Sequence, residues 1–223
     1  MIRQIRIKIA SVLFPVLFRP DIATPMVKLG TPYGGWWVPQ GVIDSSSICY
    51  LAGVGTDISF DTALIEGTGC RAWGFDPTPQ SITWFKKTFG TLKRYELVET
   101  GLAGTSTSMR FYSPSDPHHI SHSIKNLQHT NTFFTADVRT VKDTMLHLGH
   151  EHLDLLKLDI EGAEHDTIRT MLRDDIKPTV LAVEFDQPEP FRWAVNTVRL
   201  LRQAGYQLLK VDQFNFTFLL AEH

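Results

Sequence analysis

The stretch that decides the fold of this chain is SICYLAGVGTDISFDTALIEGTGCRAWGFD, residues 47–76. An apolar strand pattern leads into a glycine turn, a helix pattern follows, and a second strand pattern ends at Asp76. Glycines let the backbone pass close to a ligand, and the following helix presents its positive N-terminus. An acid about 20 residues after such a turn can bind two ribose hydroxyls. The stretch therefore predicts a site for a nucleotide-like ligand.

The turn itself predicts which kind of nucleoside binds. A dinucleotide site usually has a third glycine, which lets a pyrophosphate lie against the turn, but Ile58 stands at that position. A ligand without phosphates suits the turn better, and S-adenosylmethionine is the commonest such cofactor. We therefore predict that Gly53, Val54 and Gly55 contact the cofactor. Two interpretations of Asp57 remain open, a cofactor contact or a helix cap. A tight strand-to-helix turn without a ligand is the alternative for the whole motif.

A second informative stretch is LDLLKLDIEGAEH, residues 153–165. Its Lys-x-Asp-x-Glu-Gly-x-Glu pattern is intact from Lys157 to Glu164, and it resembles the motif that follows the cofactor loop in the FkbM-type family of S-adenosylmethionine-dependent methyltransferases. The turn at residues 75–79 is also similar to the acid-proline signature of that family, which adds Pro77 to the predicted cofactor contacts. The resemblance extends from about Tyr33 to the C-terminus.

The resemblance implies the fold, the cofactor and the reaction. The implied fold is α/β, the Rossmann-like class I methyltransferase fold, with a seven-stranded, mostly parallel sheet, one antiparallel strand and helices on both faces. The implied cofactor is S-adenosyl-L-methionine, and the implied reaction is methyl transfer to a hydroxyl oxygen of a small molecule such as a sugar or secondary metabolite. Residues 33–223 would form this domain, and residues 1–32 an N-terminal extension.

Hydrophobic periodicity in the chain supports the same architecture. Strand and helix patterns alternate without an internal repeat. The helix after the glycine turn is predicted over residues 57–66, with Gly67 ending it. The last segment, residues 214–220, alternates cleanly after a short connection, which predicts an antiparallel hairpin at the end of the sheet.

In an open parallel sheet the ligand lies beyond the carboxyl ends of the strands. The residues after the third core strand, Gly101, Leu102 and Ala103, are therefore predicted to lie near the adenine through their backbone. Asp159 follows the fourth core strand and is predicted to contact the cofactor, where a carboxylate could bind its ammonium group.

Catalytic candidates come from the same strand end. Asp159 and Glu161 point to the same side, because side chains alternate along a strand. Either could orient a hydroxyl or accept its proton. His165 is a second candidate base. Lys157 is predicted to pair with a carboxylate and to have no catalytic role.

Carboxylates at two strand ends could also gather Mg²⁺. Those residues are Asp159, Glu161, Glu184 and Asp186. Because nothing fixes a ligand geometry and the resemblance requires no metal, we expect none. A histidine-rich segment, residues 113–132, is predicted to be a long exposed loop or lid. It lacks the cysteine pattern of a zinc site.

Composition limits the partners and the location. The chain has 223 residues, 43% of them hydrophobic, and a formal net charge of −2. This length and composition predict one domain with an ample hydrophobic core. The absence of a long basic run disfavours nucleic acid, and we expect none as a partner. Two cysteines, Cys49 and Cys70, are predicted to be reduced core residues, which favours a cytoplasmic protein. The oligomeric state is not predicted.

The N-terminus carries Arg3, Arg6 and Lys8 before an apolar run, residues 9–18. The run is too short to span a bilayer, Pro15 interrupts it, and no small-x-small cleavage site follows. Two interpretations remain open for residues 1–19: a helix packed on the domain or a partner, and a basic amphipathic segment touching a membrane surface.

Two other functions compete with methyl transfer. The chain could bind S-adenosylmethionine or S-adenosylhomocysteine as a scaffold or regulator without turnover, although the carboxylates at the strand ends argue against this. A nicotinamide oxidoreductase is disfavoured by Ile58.

Overall fold

The computed structural model describes residues 2–113, 123, 130–185 and 190–221, without the side chains of residues 2–8 and 190. The helices of this part of the chain are α1 Ile2–Leu17, α2 Ser59–Thr68, α3 Pro79–Thr88, α4 Val141–Leu148, α5 Glu164–Arg173 and α6 Pro190–Gln203. Its strands are β1 Met26–Leu29, β2 Trp36–Pro39, β3 Ile48–Ala52, β4 Arg71–Phe75, β5 Tyr95–Val98, β6 Gly101–Leu102, β7 Thr107–Tyr112, β8 Phe133–Arg139, β9 Leu155–Leu158, β10 Val180–Glu184, β11 Tyr206–Asp212 and β12 Asn215–Leu220.

The main sheet has seven strands in the order β11-β12-β10-β9-β3-β4-β5. The strands from β10 to β5 pair in parallel, whereas β12 runs antiparallel to both β10 and β11. The predicted α/β fold, a mostly parallel seven-stranded sheet with one antiparallel strand, is confirmed. The hairpin at the end of the chain arises because the connection, Gln213 and Phe214, is too short for a crossover.

The sheet is buried on both faces, and alternate residues of its central strands enter two different clusters. Tyr50 and Ala52 face a cluster formed with α1, α4, α5 and α6. Cys49 and Leu51 face the opposite cluster, formed with α2, α3 and β2. This burial explains the nearly continuous apolar runs of the parallel strands.

The sheet order reverses beside β3. The chain runs outward through β4 and β5, and then returns to place β9 on the other side of β3. The carboxyl ends of β3, β4 and β9 therefore surround the position where ligands bind in open α/β sheets.

Helix α2 ends later than predicted. Gly67 lies inside the helix, and the chain turns at Gly69, whose φ of 74° lies in the left-handed region. Both glycines could end a helix, and only the backbone conformation separates them.

Two small sheets accompany the main one. An antiparallel pair, β1 and β2, precedes the core, and a three-stranded sheet has the order β6-β8-β7. The third core strand ends at Val98, and residues 101–102 join the small sheet by pairing with Val138 and Arg139. The predictions missed β1 and β2 because each has only four residues and little alternation.

Helix α1 packs on the body of the domain. Phe14 is fully buried and forms edge-to-face contacts with Phe191, Phe214 and Phe216. Pro15 lies inside the helix and does not end it, in contrast to the predicted interruption. Among the described residues, the helices are all too short or too polar to cross a membrane.

Candidate functional site

The glycine turn at the end of β3 is pressed against the end of β9. Gly53 has a φ of 87°, and a Cβ atom placed there would lie 1.9 Å from the Asp159 carbonyl oxygen. The Gly53 amide donates to the Phe75 carbonyl at 2.9 Å. Since any side chain would clash with the backbone of β9, glycine is required at this position.

Lys157 binds the same turn through its side-chain ammonium group. Its Nζ donates to the carbonyls of Ala52 and Gly53 at 3.2 and 3.1 Å, and lies 3.5 Å from Asp159 Oδ2. The ammonium also lies 5.2 Å from the ring centroid of Trp36. Lys157 is predicted to pair with an unspecified carboxylate, and the structure places Asp159 beside it, but the shorter contacts are to the carbonyls of the turn. Lys157 therefore links the turn to the carboxylate at the mouth of the site.

Asp76 lies at the end of β4 and closes the turn from the other side. One of its oxygens accepts from the Gly55 amide at 2.9 Å, and the other accepts from the Thr78 amide at 2.8 Å. The residue is 6% exposed. Each carboxylate oxygen has two lone pairs, so one on each oxygen remains for a ribose hydroxyl.

Asp57 lies just before helix α2, which begins at Ser59. Its Oδ1 accepts from the Ser59 amide at 2.8 Å, and its Oδ2 accepts from the Thr31 hydroxyl at 2.7 Å. Burial raises the pKa of Asp57, but these hydrogen bonds and Lys157 outweigh burial and leave it below its ordinary value. The carboxylate thus ties the helix start to residues 31–34.

Asp61 is a buried acid that sequence reasoning missed. It lies in the first turn of α2 and is 5% exposed. Burial raises the pKa of Asp61 to about 7, against the opposing attraction of Lys157, and Asp57 adds to the rise. The signal for it was an acid between Phe60 and Leu64, two core positions of an amphipathic helix.

The turn after β9 carries the predicted catalytic carboxylates. Glu161 has a φ of 53°, which non-glycine residues rarely adopt. Glu164, which is buried, fixes the turn because its carboxylate accepts from the amides of Ile160 at 2.8 Å and Gly162 at 3.0 Å. The side chain of Asp159 is one-third exposed.

Two further contacts surround this turn. Ser123 Oγ donates to the Glu161 carbonyl at 2.6 Å. His165 lies in the contact between α5 and α6, where Nδ1 is 2.7 Å from Thr197 Oγ1 and the ring centroid is 4.3 Å from that of Trp193. Helix packing therefore fixes the imidazole.

The predicted adenine residues follow β5. Leu102 and Ala103 are buried, and the Ala103 amide donates to the Arg139 carbonyl at 2.9 Å. A Cβ atom at Gly101 would lie 3.2 Å from Pro77 Cγ, so the segment after β5 and the acid-proline turn are in contact.

Several sequence-based candidates cannot be placed together. Asp186 lies outside the described residues, as do His118, His119 and His122 of the histidine-rich segment that is predicted to be a loop or lid. Within the described part of the chain, no three His, Cys, Asp or Glu side chains gather as a metal site would. Cys49 and Cys70 are free thiols in the core.

The polar groups of the site fit S-adenosylmethionine. The buried Asp76 lies where the ribose would bind, and Asp159, one-third exposed, lies at the mouth of the site. Ile58 is packed in the core where a dinucleotide site would have its third glycine. Fold and site together define a class I S-adenosylmethionine-dependent methyltransferase.

Comparison with known protein families gives the same class of protein. The family described as the methyltransferase FkbM domain matches residues 50–208, and the chain belongs to it. This confirms the resemblance found in the sequence, and S-adenosylmethionine is the cofactor. No curated protein sequence matches the chain.

Solved structures share the fold at low identity. An rRNA methylase from Streptococcus thermophilus is 15% identical, with a TM-score of 0.44, over 81% of this chain and 89% of that one. A fibrillarin pre-rRNA processing protein from Methanococcus jannaschii is 8% identical, with a TM-score of 0.48, over 83% and 71%. The SAH-bound methyltransferase PaMTH1 from Podospora anserina is 12% identical, with a TM-score of 0.44, over 79% and 72%.

These comparisons correct the predicted partners. The prediction of a small-molecule acceptor and no nucleic acid is contradicted: the structures that share the fold include an rRNA methylase and a pre-rRNA processing protein. The prediction rests on a net charge of −2 and the absence of a long basic run. A net charge sums over the whole surface and does not give the charge at one site, so it cannot exclude a nucleic acid.

Proposed function

We propose that this methyltransferase transfers the methyl group of S-adenosylmethionine to a hydroxyl oxygen. The observation that carries the proposal is the meeting of three strand ends. The glycine turn after β3, Asp76 after β4, and the Asp159–Glu161 segment after β9 lie around one reversal of the sheet order. This is the place where an open α/β sheet binds its ligand.

The cofactor contacts that we propose follow the strand ends. The backbone of Gly53, Val54 and Gly55 passes along the cofactor, and Asp76 accepts hydrogen bonds from the ribose hydroxyls. Asp159 binds the ammonium group of the methionine part. Lys157 supports both sides of this arrangement, since it contacts the turn carbonyls and the Asp159 carboxylate.

Three other residues complete the proposed cofactor site on its adenine side. Leu102 presents its backbone to the adenine, and Gly101 and Ala103 flank it beside Pro77. Asp57 acts at a distance from the ligand, as the residue that holds the start of α2 against residues 31–34.

The proposed chemistry is an in-line displacement. S-adenosylmethionine supplies a methyl group on a positively charged sulfur. The acceptor oxygen forms a bond to the methyl carbon, the sulfur–carbon bond breaks with its electron pair going to sulfur, and the hydroxyl proton passes to a carboxylate. Asp159 or Glu161 orients the hydroxyl and accepts the proton.

His165 is the weaker candidate for the base. Its Nδ1 is engaged with Thr197.

Transfer of a labelled methyl group tests the proposal. The purified chain is incubated with labelled S-adenosylmethionine and with hydroxylated sugars and RNA in parallel panels. Label on an oxygen atom, located by mass spectrometry of the product, is expected. Label on nitrogen or carbon would overturn the hydroxyl assignment, and tight cofactor binding without transfer to any acceptor would favour the scaffold function.

The domain division and the cellular location are also proposals. We propose that residues 33–223 form the methyltransferase domain and that residues 1–32 are an extension. Its helix packs on α6 and β11 through Phe14 and Ala10. The cytoplasmic location rests on the two free cysteines alone and stays a prediction.

A further inference from the structure

Helix α1 has a second apolar face, which points away from the domain. Ala10 and Phe14 are buried against the domain, whereas five other apolar side chains of the helix are between 39% and 71% exposed. These residues are Ile9, Val12, Leu13, Val16 and Leu17. Their spacing of three and four places them along one continuous stripe of the helix. We call this stripe the outer face of α1.

The outer face is unusual for a surface exposed to water. Single exposed apolar residues are ordinary, but a contiguous apolar patch marks an interaction surface. A groove of about 430 Å³ lies just after the end of the helix, between Phe18 and the exposed side chain of Val195 on α6.

The sequence around the outer face is basic. The first twenty residues include Arg3, Arg6, Lys8 and Arg19 and contain no acidic residue. Arg199, which is exposed, lines the groove together with Arg202. Arg202 is bound to Asp21 at 2.8 and 3.0 Å, so part of this charge is neutralised within the chain.

We propose that the outer face of α1 docks on an anionic phospholipid membrane. The apolar stripe would enter the boundary between headgroups and acyl chains, and the basic residues would meet the anionic headgroups. A second copy of the chain fits less well, because the same cations would face each other across a symmetric interface. Docking would hold the methyltransferase at the membrane surface.

Vesicle sedimentation with the full chain tests this proposal. The probes are vesicles of phosphatidylcholine alone and of phosphatidylcholine with phosphatidylserine. We expect preferential binding to the anionic vesicles, and a weakening of this binding when the ionic strength is raised from about 0.15 M to about 1 M.

The double variant Val12→Glu/Val16→Glu is expected to bind anionic vesicles at least about tenfold more weakly, because two charges enter the apolar stripe. Leu146→Glu is the matched control. Leu146 is 72% exposed on α4, so the control adds a charge at an exposed apolar position elsewhere. The control is expected to bind vesicles as the wild type does, and all three proteins are expected to share one unfolding temperature.

Three results would overturn the proposal. The first is an absence of vesicle binding by the wild type, or equal binding to neutral and anionic vesicles. The second is undiminished binding by the Val12→Glu/Val16→Glu variant. The third is a wild-type dimer that forms without lipid and dissociates in this variant, as measured by sedimentation velocity, because a second copy would then cover the outer face.

Discussion

At the scale of single residues, the site depends on close backbone contact between two neighbouring strands. Gly53 touches the backbone of Asp159, and Lys157 donates to the carbonyls on the Gly53 side. The turn that would carry the cofactor and the strand end that would carry the carboxylates therefore move as one unit. Substitutions that disturb the packing of this turn should therefore affect cofactor binding and methyl transfer together.

Gly53→Ala tests this contact. The new Cβ atom would lie 1.9 Å from the Asp159 carbonyl oxygen, so one strand must shift. We expect a loss of roughly 3–5 kcal/mol in the free energy of unfolding, as for severe substitutions, together with loss of S-adenosylhomocysteine binding.

Gly41→Ala is the matched control for Gly53→Ala. Gly41 has a similar φ, 74°, but a Cβ atom there meets nothing within 4 Å. Its loss should be about 1–2 kcal/mol, the strain of a left-handed backbone alone. Equal losses in the two variants, measured by urea unfolding, would show that the contact with Asp159 is unimportant.

Asp61 predicts a pH dependence of stability. Its pKa is raised to about 7 in the folded chain from an ordinary value of 3.8, so the folded state holds a proton that the unfolded state has lost between these values. Stability from this group is therefore lost as the pH rises from about 4 to about 7. The slope contributed by Asp61 approaches about 1.4 kcal/mol per pH unit.

Asp61→Asn removes this titration. The difference in unfolding free energy between variant and wild type should shift in favour of the variant as the pH rises through this window. Urea unfolding at several pH values measures it. A difference that stays constant with pH would contradict the raised pKa.

At the scale of helices and strands, the long apolar elements were predictable and the ends were not. The strands β3, β4, β9 and β10 are buried on both faces, and so they read as apolar runs. Gly67 and Gly69 are equally good helix ends in sequence, and only the left-handed conformation of Gly69 distinguishes them. The partnership of β6 with β8 depends on residues more than 35 positions apart, which local periodicity does not encode.

The site was predictable for the same reason and to the same extent. Glycines and acids at strand ends are recognisable by position, and the structure places Gly53, Asp76 and Asp159 at one end of the sheet. Their contact with a cofactor stays a prediction. Asp61 and the contacts of His165 were not predictable from the sequence, because they depend on how helices pack. An acid in the first turn of α2 resembles an ordinary surface residue until the burial of that turn is known.

Glu164 links the structure of the turn after β9 to activity. Its carboxylate accepts from the Ile160 and Gly162 amides and so holds the turn that carries Glu161. In Glu164→Gln one oxygen becomes an NH₂ group that cannot accept. We expect a loss of about 1–3 kcal/mol in unfolding free energy, and a lower kcat.

Glu151→Gln is the control for Glu164→Gln. Glu151 is exposed, so its variant should lie within about 0.5 kcal/mol of the wild type. Unfolding and methyl-transfer assays compare the two variants. A Glu164→Gln protein as stable and active as the control would show that this carboxylate is not needed to hold the turn that carries Glu161.

At the scale of the whole molecule, one sheet brings together motifs that lie about a hundred residues apart in sequence. The glycine turn and the Lys157–Glu164 motif meet because β9 returns to pair with β3. The fold thus follows from two local patterns and one topological rule, the reversal of strand order. The acceptor does not follow from them, because the sheet order fixes the position of the cofactor alone.

The most direct test of the central claim is a calorimetric titration with S-adenosylhomocysteine, with NAD as the comparison ligand, on the wild type and on Asp76→Ala. We predict micromolar binding of S-adenosylhomocysteine and no binding of NAD by the wild type. Asp76→Ala should weaken binding by about 10–100-fold, the loss of hydrogen bonds to a charged group. Absence of S-adenosylhomocysteine binding, or equal affinity in Asp76→Ala, would contradict the account.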